Sequence, residues 1–140
     1  QKNAWAFHGL ACLKYNQRKP KKAISYMAKG IALQPSELSY LKDGFKLIVA
    51  CEGFSSILEL YKGLSTELQE NSRLKFYYAL ALHRVGKDKE AFELLKNPEG
   101  FVLEDIREGE DSIAQLWIDV TKALGKEEPI PYAYNFKAYV

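Results

Sequence analysis

Laid over itself with a shift of 34 positions, the chain falls into step with its own pattern of small and large apolar residues. Ala23, Ile57 and Ala91 share one phase, and Met27, Tyr61 and Leu95 share another. Leu10, Gly44 and Tyr78 align as well, as do Ala11, Phe45 and Ala79, and Phe7, Leu41 and Lys75, and no gap is needed anywhere. A constant period of this length marks a chain built from repeated supersecondary units, each too small to bury its own apolar face and therefore dependent on its neighbours.

The clearest copy runs from Leu74 to Leu95. Leu74, Tyr77, Tyr78, Ala81, Leu82 and Val85 have the three-four spacing of a buried helical stripe, and Gly86 stops that helix. Asp88 is placed to cap a second helix with Ala91, Phe92, Leu94 and Leu95 inward, small Ala91 standing where two axes come close. Other boundaries carry their own signals. Asn3 is suited to cap the first helix, and Pro20 fits the opening turn of the second, where its missing N–H is not needed. Ser36 after Pro35 is expected to start the third helix, Ser56 with Glu59 forms a capping-box pattern before the fourth, and Asn71 or Ser72 opens the next. All the connections are short, as stacked hairpins require.

Read residue by residue, the chain resembles the tetratricopeptide repeat family over residues 4–98. The first repeat has the family's large-then-small pattern as Phe7, Leu10 and Ala11, followed by Ala23, Met27, Gly30 and the closing Pro35. The third repeat shows it as Tyr78, Ala79, Leu82, Gly86, Ala91 and Leu95. The middle repeat departs from it, with Ile57 and Leu64 where the family prefers small residues and Glu52 followed by Gly53 at the turn. The resemblance implies an all-α, right-handed α-solenoid of three helix hairpins in one domain spanning 1–140, with repeats at 4–37, 38–71 and 72–98. Residues 99–140 would then form an acidic loop, a C-terminal capping helix and an extended aromatic tail.

That last part has its own pattern. Asn97, Pro98 and Gly100 break the helix, and FVLEDIREGED reads as an acidic loop. Ser112 with Gln115 is a capping-box pattern, and Ile113, Leu116, Trp117, Val120 and Leu124 give a one-sided helix that ends at Gly125 and suits the closing of a solenoid. Pro129 and Pro131 forbid further helix, and Ile130, Tyr132, Tyr134 and Phe136 alternate like an extended segment. The Arg107 to Ser112 loop, the Leu116-Trp117 pair and the Asn135-Phe136-Lys137 tail together resemble the C-terminal end of a large bacterial family. Its members join β-rich domains similar to sugar mutarotases to tetratricopeptide arrays, and the resemblance implies that this chain is the last part of a longer protein. The first helix agrees with that expectation. Ala4, Trp5, Ala6, Phe7, Leu10, Ala11, Cys12 and Leu13 make it apolar almost all round, so an upstream helix or a partner subunit is expected over Trp5.

Composition narrows the function. A formal charge of +2 built from interspersed acids and bases argues for an ordinary surface with no nucleic-acid partner, and the basic run from Arg18 to Lys22 reads as a solvated turn. No apolar run approaches the roughly 18 residues that span a bilayer, so no membrane association and a cytoplasmic location are expected. Cys12 and Cys51 read as buried free thiols, with a disulfide or a reactive thiol as the alternative. With no phosphate-cradling glycine loop, no H-E-x-x-H and no C-x-x-C, and with His8 and His83 on different repeats, the chain is expected to be no enzyme and to hold no metal or cofactor. The acidic cluster Glu104, Asp105, Glu108, Glu110 and Asp111 lacks the spacing of a calcium loop.

The better candidate is a groove. In the family the first helices of successive repeats line it, and the resemblance directs Trp5, His8, Cys12, Tyr15, Lys42, Lys46, Arg73, Phe76, Tyr77, His83 and Arg84 toward it. Lys42, Lys46 and Arg73 with Phe76 and Tyr77 would make a basic and aromatic surface able to hold an extended acidic peptide. Ring packing between helices with solvated cations is the competing reading. The chaperone-tail carboxylate clamp known in the family is not expected, since its positions hold His8, Cys12, Asp43, Arg73 and Tyr77, of which only Arg73 is compatible. The expected function is a non-catalytic protein-interaction scaffold with a protein or peptide partner. The alternative is a structural segment that docks on upstream domains or forms a homo-oligomer within a carbohydrate-related protein.

Overall fold

The computed structural model describes residues 3–102 and 112–134. Those residues form eight α-helices, two 3-10 turns and no strand, so the fold class is all-α. The helices are α1 (Ala4–Asn16), α2 (Pro20–Leu33), α3 (Leu38–Ala50), α4 (Phe54–Lys62), the single turn α5 (Thr66–Gln69), α6 (Ser72–Arg84), α7 (Asp88–Leu95) and α8 (Ser112–Ala123). The chain divides into two compact units, Gln1–Gln69 and Glu70–Val140.

The sequence period reappears in the backbone. α1, α3 and α6 begin at residues 4, 38 and 72, and α2, α4 and α7 begin at 20, 54 and 88, so both sets recur every 34 residues. The turn between each pair is the same motif. Arg18, Glu52 and Gly86, again 34 apart, take left-handed backbone conformations with φ of +60°, +60° and +87°. The next amide reaches back five residues in each case: Lys19 N–H to the Lys14 carbonyl, Gly53 to Ile48 and Lys87 to Leu82. This Schellman closure satisfies the carbonyls that a helix end leaves open. Gly125 ends α8 in the same way, at φ +68° with Lys126 N–H donating to the Thr121 carbonyl.

Two local cap signals fail, the first of them because such a turn has already set the helix start. α4 starts at Phe54 with Gly53 as its N-cap, so Ser56 and Glu59 lie inside the helix instead of forming a capping box ahead of it. α3 is preceded by Glu37, and Ser36 caps nothing; the Ser39 hydroxyl donates to the Glu37 carboxylate instead. Once the turn at Glu52 is closed, the start of α4 is set by geometry and not by the nearest serine. Asp88 likewise opens α7 as its first residue, and its carboxylate meets the His83 ring, 2.5 Å from Nδ1. Side-chain caps are formed instead by Asn3, which accepts from Trp5 N–H, and Asn71, which accepts from Leu74 N–H.

In the first unit α2 packs against α1, α3 and α4. Ala11, Ala23, Met27, Tyr40, Leu41, Phe45, Ile48 and Ile57 are fully buried there, so most of the phase-matched positions lie in the core, whereas Leu10 is exposed and Phe7 half-buried. Gly30 is required by a close approach, since a Cβ on it would sit 1.9 Å from the Tyr40 hydroxyl. That hydroxyl crosses α2 to donate to the Ala4 carbonyl at 2.6 Å. One tyrosine of α3 thereby ties α1 and α2 together. At the far end α5, opened by the Ser65 hydroxyl accepting from Leu68 N–H, is an element the period does not announce. Gln69 donates its amide to the Tyr61 carbonyl while its own carbonyl receives the Tyr61 hydroxyl.

In the second unit α6 and α7 form a hairpin on which α8 packs, with Ile113, Leu116, Trp117 and Val120 buried as its pattern predicts. Lys75 occupies a position that is apolar in the other two repeats, yet it is buried. Its ammonium donates to the Gly100 carbonyl at 2.6 Å, pairs with Glu70 and lies over the Phe101 ring. Val102 N–H donates to the Ser72 hydroxyl, so two side chains of α6 fasten the segment that follows α7. The tail departs from the extended form expected of it. Tyr132–Tyr134 make a 3-10 turn, Tyr132 is exposed, and Tyr134 is fully buried with its hydroxyl donating to the Leu95 carbonyl at 2.5 Å. Proline-led alternation mimics a strand, but the buried hydroxyl needs a partner, and the end of α7 supplies it. The Arg107–Asp111 part of the acidic loop and the Asn135-Phe136-Lys137 tail lie outside the described residues.

Two predictions follow from turn and tail. A non-glycine residue in the left-handed region costs about 1–2 kcal/mol. Arg18→Gly should therefore raise stability by about 1 kcal/mol in urea unfolding, while Gly86→Ala should lower it by a similar amount. Burial, and secondarily the charge of Glu99, pushes the Tyr134 phenol well above its usual range, and burial also raises Tyr40 and Tyr78. The folded chain therefore holds these protons after the unfolded chain has lost them. Stability should be intact below pH ~10 and decline above it, mainly through Tyr134, by up to about 1.4 kcal/mol per pH unit. Tyr134→Phe should flatten that alkaline decline as well as lowering stability at neutral pH.

Candidate functional site

The expected groove residues divide between the two units. In the first, α1 and α3 bring Trp5, His8 and Tyr40 into one aromatic cluster. The Trp5 ring stands edge-on to Tyr40 at 4.8 Å between centroids, and the His8 ring lies 5.1 Å from Trp5 and 5.8 Å from Tyr40. Trp5 remains 49% exposed and His8 is half-buried, so the cluster opens to solvent on the α1 side. Cys12, one turn further along, places its sulfur 3.7 Å from His8 Nδ1. Lys42 and Lys46 stand four residues apart on α3, the first half-buried and the second exposed, as two cations on one helical face.

Tyr15 is at a different place. It belongs to a cleft of about 550 Å³ at the turn end of the first unit, together with Asn16, Arg18, Pro20, Ala50, Cys51 and Glu52. The two left-handed turn residues are both on its rim. Burial pushes the Cys51 thiol up, which keeps it protonated and a poor nucleophile at neutral pH. Sequence reasoning did not single out this cleft. Its signal was present all the same, in two charged residues standing 34 apart where the third repeat has glycine.

The second unit contributes Arg73, Phe76, Tyr77, His83 and Arg84 from α6. Arg73, Phe76 and Tyr77 are buried. The Arg73 guanidinium lies 5.7 Å from the centre of the Tyr77 ring, which in turn is 6.0 Å from Phe76. These three therefore meet one another in a packed arrangement, in which the guanidinium is held by a ring face. His83 is half-buried against Asp88, and Arg84 is exposed at the helix end. Among the expected residues, those exposed to solvent are Trp5, Tyr15, Lys46 and Arg84.

Among the described residues no group of three His, Cys, Asp or Glu side chains converges as a metal site would require. The acidic cluster between Glu104 and Asp111 lies outside them. No described helix is long and apolar enough to cross a membrane. Comparison of the chain with protein-family models, curated proteins and solved structures finds no match.

Proposed function

We propose that the chain is a non-catalytic interaction scaffold of the tetratricopeptide type, a right-handed solenoid whose first helices present a groove to an extended acidic peptide. The observation that supports this reading is the phase of the backbone. Helix starts, left-handed turn residues and closing hydrogen bonds all recur at 34 residues, which is the length of that repeat. Repeats of one period are the kind of unit that stacks regularly, with the first helices of neighbouring repeats lining a shared surface. In the first unit α3 contributes Lys42 and Lys46, and α1 contributes Trp5 and His8, cation and aromatic groups of the kinds suited to carboxylates and apolar side chains on one strand of peptide.

A second reading, self-association, is favoured by the exposed apolar side chains on the first hairpin. Leu10, Leu13 and Leu33 keep 38%, 48% and 43% of their surface in solvent. A stripe of leucines left open on α1 and α2 is what a pairing of two copies would cover.

The readings separate in one set of experiments. Panning a displayed peptide library against the chain should enrich extended acidic sequences. Lys42→Ala with Lys46→Ala should weaken the selected peptide by about tenfold or more, a loss near 1.4 kcal/mol, without moving the melting temperature. Enrichment that ignores charge, or a double variant that binds as well as the parent, would reject the groove. If pairing is the role, Leu13→Glu should instead shift sedimentation from dimer to monomer while the double lysine variant is silent.

A further inference from the structure

The first hairpin carries a charge arrangement found nowhere else in the chain. Residues 1–36 contain seven Lys and Arg and no Asp or Glu, whereas the remaining 104 contain thirteen bases against eighteen acids. The near-neutral total conceals this separation. α2 concentrates it at an unfavourable place, because Lys19, Pro20, Lys21 and Lys22 form its beginning with no acid in the first turn and no side-chain cap. Cations there oppose the helix dipole, which favours negative charge at the N-terminus. α7 shows the ordinary arrangement, with Asp88 and Glu90 in its first turn.

Lys22, Ser25, Tyr26 and Lys29 lie on one face of α2 at helical spacing, and with Lys14 of α1 they line a recess of about 210 Å³. No acidic side chain is among those lining groups. Lys14 donates to the Gln17 side chain at 3.3 Å, and the Lys29 ammonium lies 5.6 Å from the centre of the Tyr26 ring. That ring is itself fixed by stacking on Phe7, 6.3 Å away. The recess is smaller than the ~300–1,000 Å³ pockets that enclose drug-sized molecules, so its occupant is compact. Three ammonium groups act as point charges with rotatable donors, and two hydroxyls stand beside them. A single carboxylate would leave most of that positive charge unbalanced. A compact dianion would not.

We propose that this recess binds a phosphomonoester dianion, free or borne on a small molecule or peptide side chain. The phosphate oxygens accept from Lys14, Lys22 and Lys29, with Ser25 completing the set, and the bound charge offsets the misplaced cations at the start of α2. This site does not depend on the peptide groove, since it uses neither Lys42 nor Lys46. Diester phosphates strung along a nucleic acid carry one charge each and fit a single compact recess poorly.

The test is a titration of the ¹⁵N-labelled chain with phosphoserine, inorganic phosphate and acetate at matched ionic strength, with melting temperatures recorded in parallel. Phosphoserine should give saturable shifts confined to amides near Lys14 and residues 22–29 and should raise the melting temperature. Inorganic phosphate binding as tightly would assign recognition to the anion alone, and weaker binding would assign part of it to the ester carrier; both support the site. Affinity should fall several-fold from pH ~7.5 to ~5, as the phosphate loses its second charge near pH ~6. Lys22→Gln with Lys29→Gln should weaken binding by about tenfold or more while leaving the unliganded chain folded, since both side chains are exposed. Shifts that do not saturate, acetate as effective as phosphoserine, or a double variant that binds unchanged would overturn the proposal. So would a mixed-sequence oligonucleotide whose affinity grows with length and which phosphoserine cannot displace, because that behaviour belongs to a polyelectrolyte surface. Failure here leaves the groove reading untouched.

Discussion

Helix length in this chain is governed by a backbone turn that closes at a fixed count. A left-handed residue at 18, 52 and 86, followed by an amide that reaches back over five residues, ends each first helix and dictates where each second helix begins. Everything else inherits that spacing. Ala23, Ile57 and Ala91 arrive at the same depth in the core because the turn before each has the same length, and Ala11, Phe45 and Ala79 do so because the helix before each turn has the same start. The motif tolerates Arg18 and Glu52 at a position best filled by glycine, so its closing bonds and the packing beyond it outweigh a local cost of about 1–2 kcal/mol.

What could be read from the residues follows the same division. The six main helices and their phase were legible, because apolar periodicity is redundant and each helix repeats the evidence. Isolated cap signals were not. Ser56 and Glu59 have the right chemistry, but the closed turn at Glu52 leaves them out of register with the start of α4, and Ser36 stands one residue too early for α3, whose cap position is Glu37. Asp88 stands where expected and serves a different donor, the ring of His83. The tail at Ile130 to Tyr134 alternates as a strand does, yet one buried hydroxyl seeking the Leu95 carbonyl bends it into a 3-10 turn. α5 escaped notice because four residues carry no period.

The candidate site was legible only as a set of residue types. Position along α1, α3 and α6 fixes which residues share a helix, but exposure depends on what each side chain meets. Lys46 projects into water, whereas Arg73 lies against the Tyr77 ring and is buried with it. Lys75 shows the same effect in the opposite sense. A charged residue at an apolar position would ordinarily be read as a departure from the repeat, and it proves to be a fastener for the Gly100 carbonyl. The local chemistry of a loop absent from the other repeats determined its role, and no internal comparison could have supplied that.

The tyrosine that crosses α2 has a consequence for cooperativity. Tyr40 reaches the Ala4 carbonyl only because Gly30 leaves its path clear, so a residue from one repeat secures the opening turn of the repeat before it. The first hairpin is therefore not a self-sufficient module. Its leading end holds only when the second repeat is in place, and the boundary between the first and second repeats marks no seam at which the first unit could come apart cleanly.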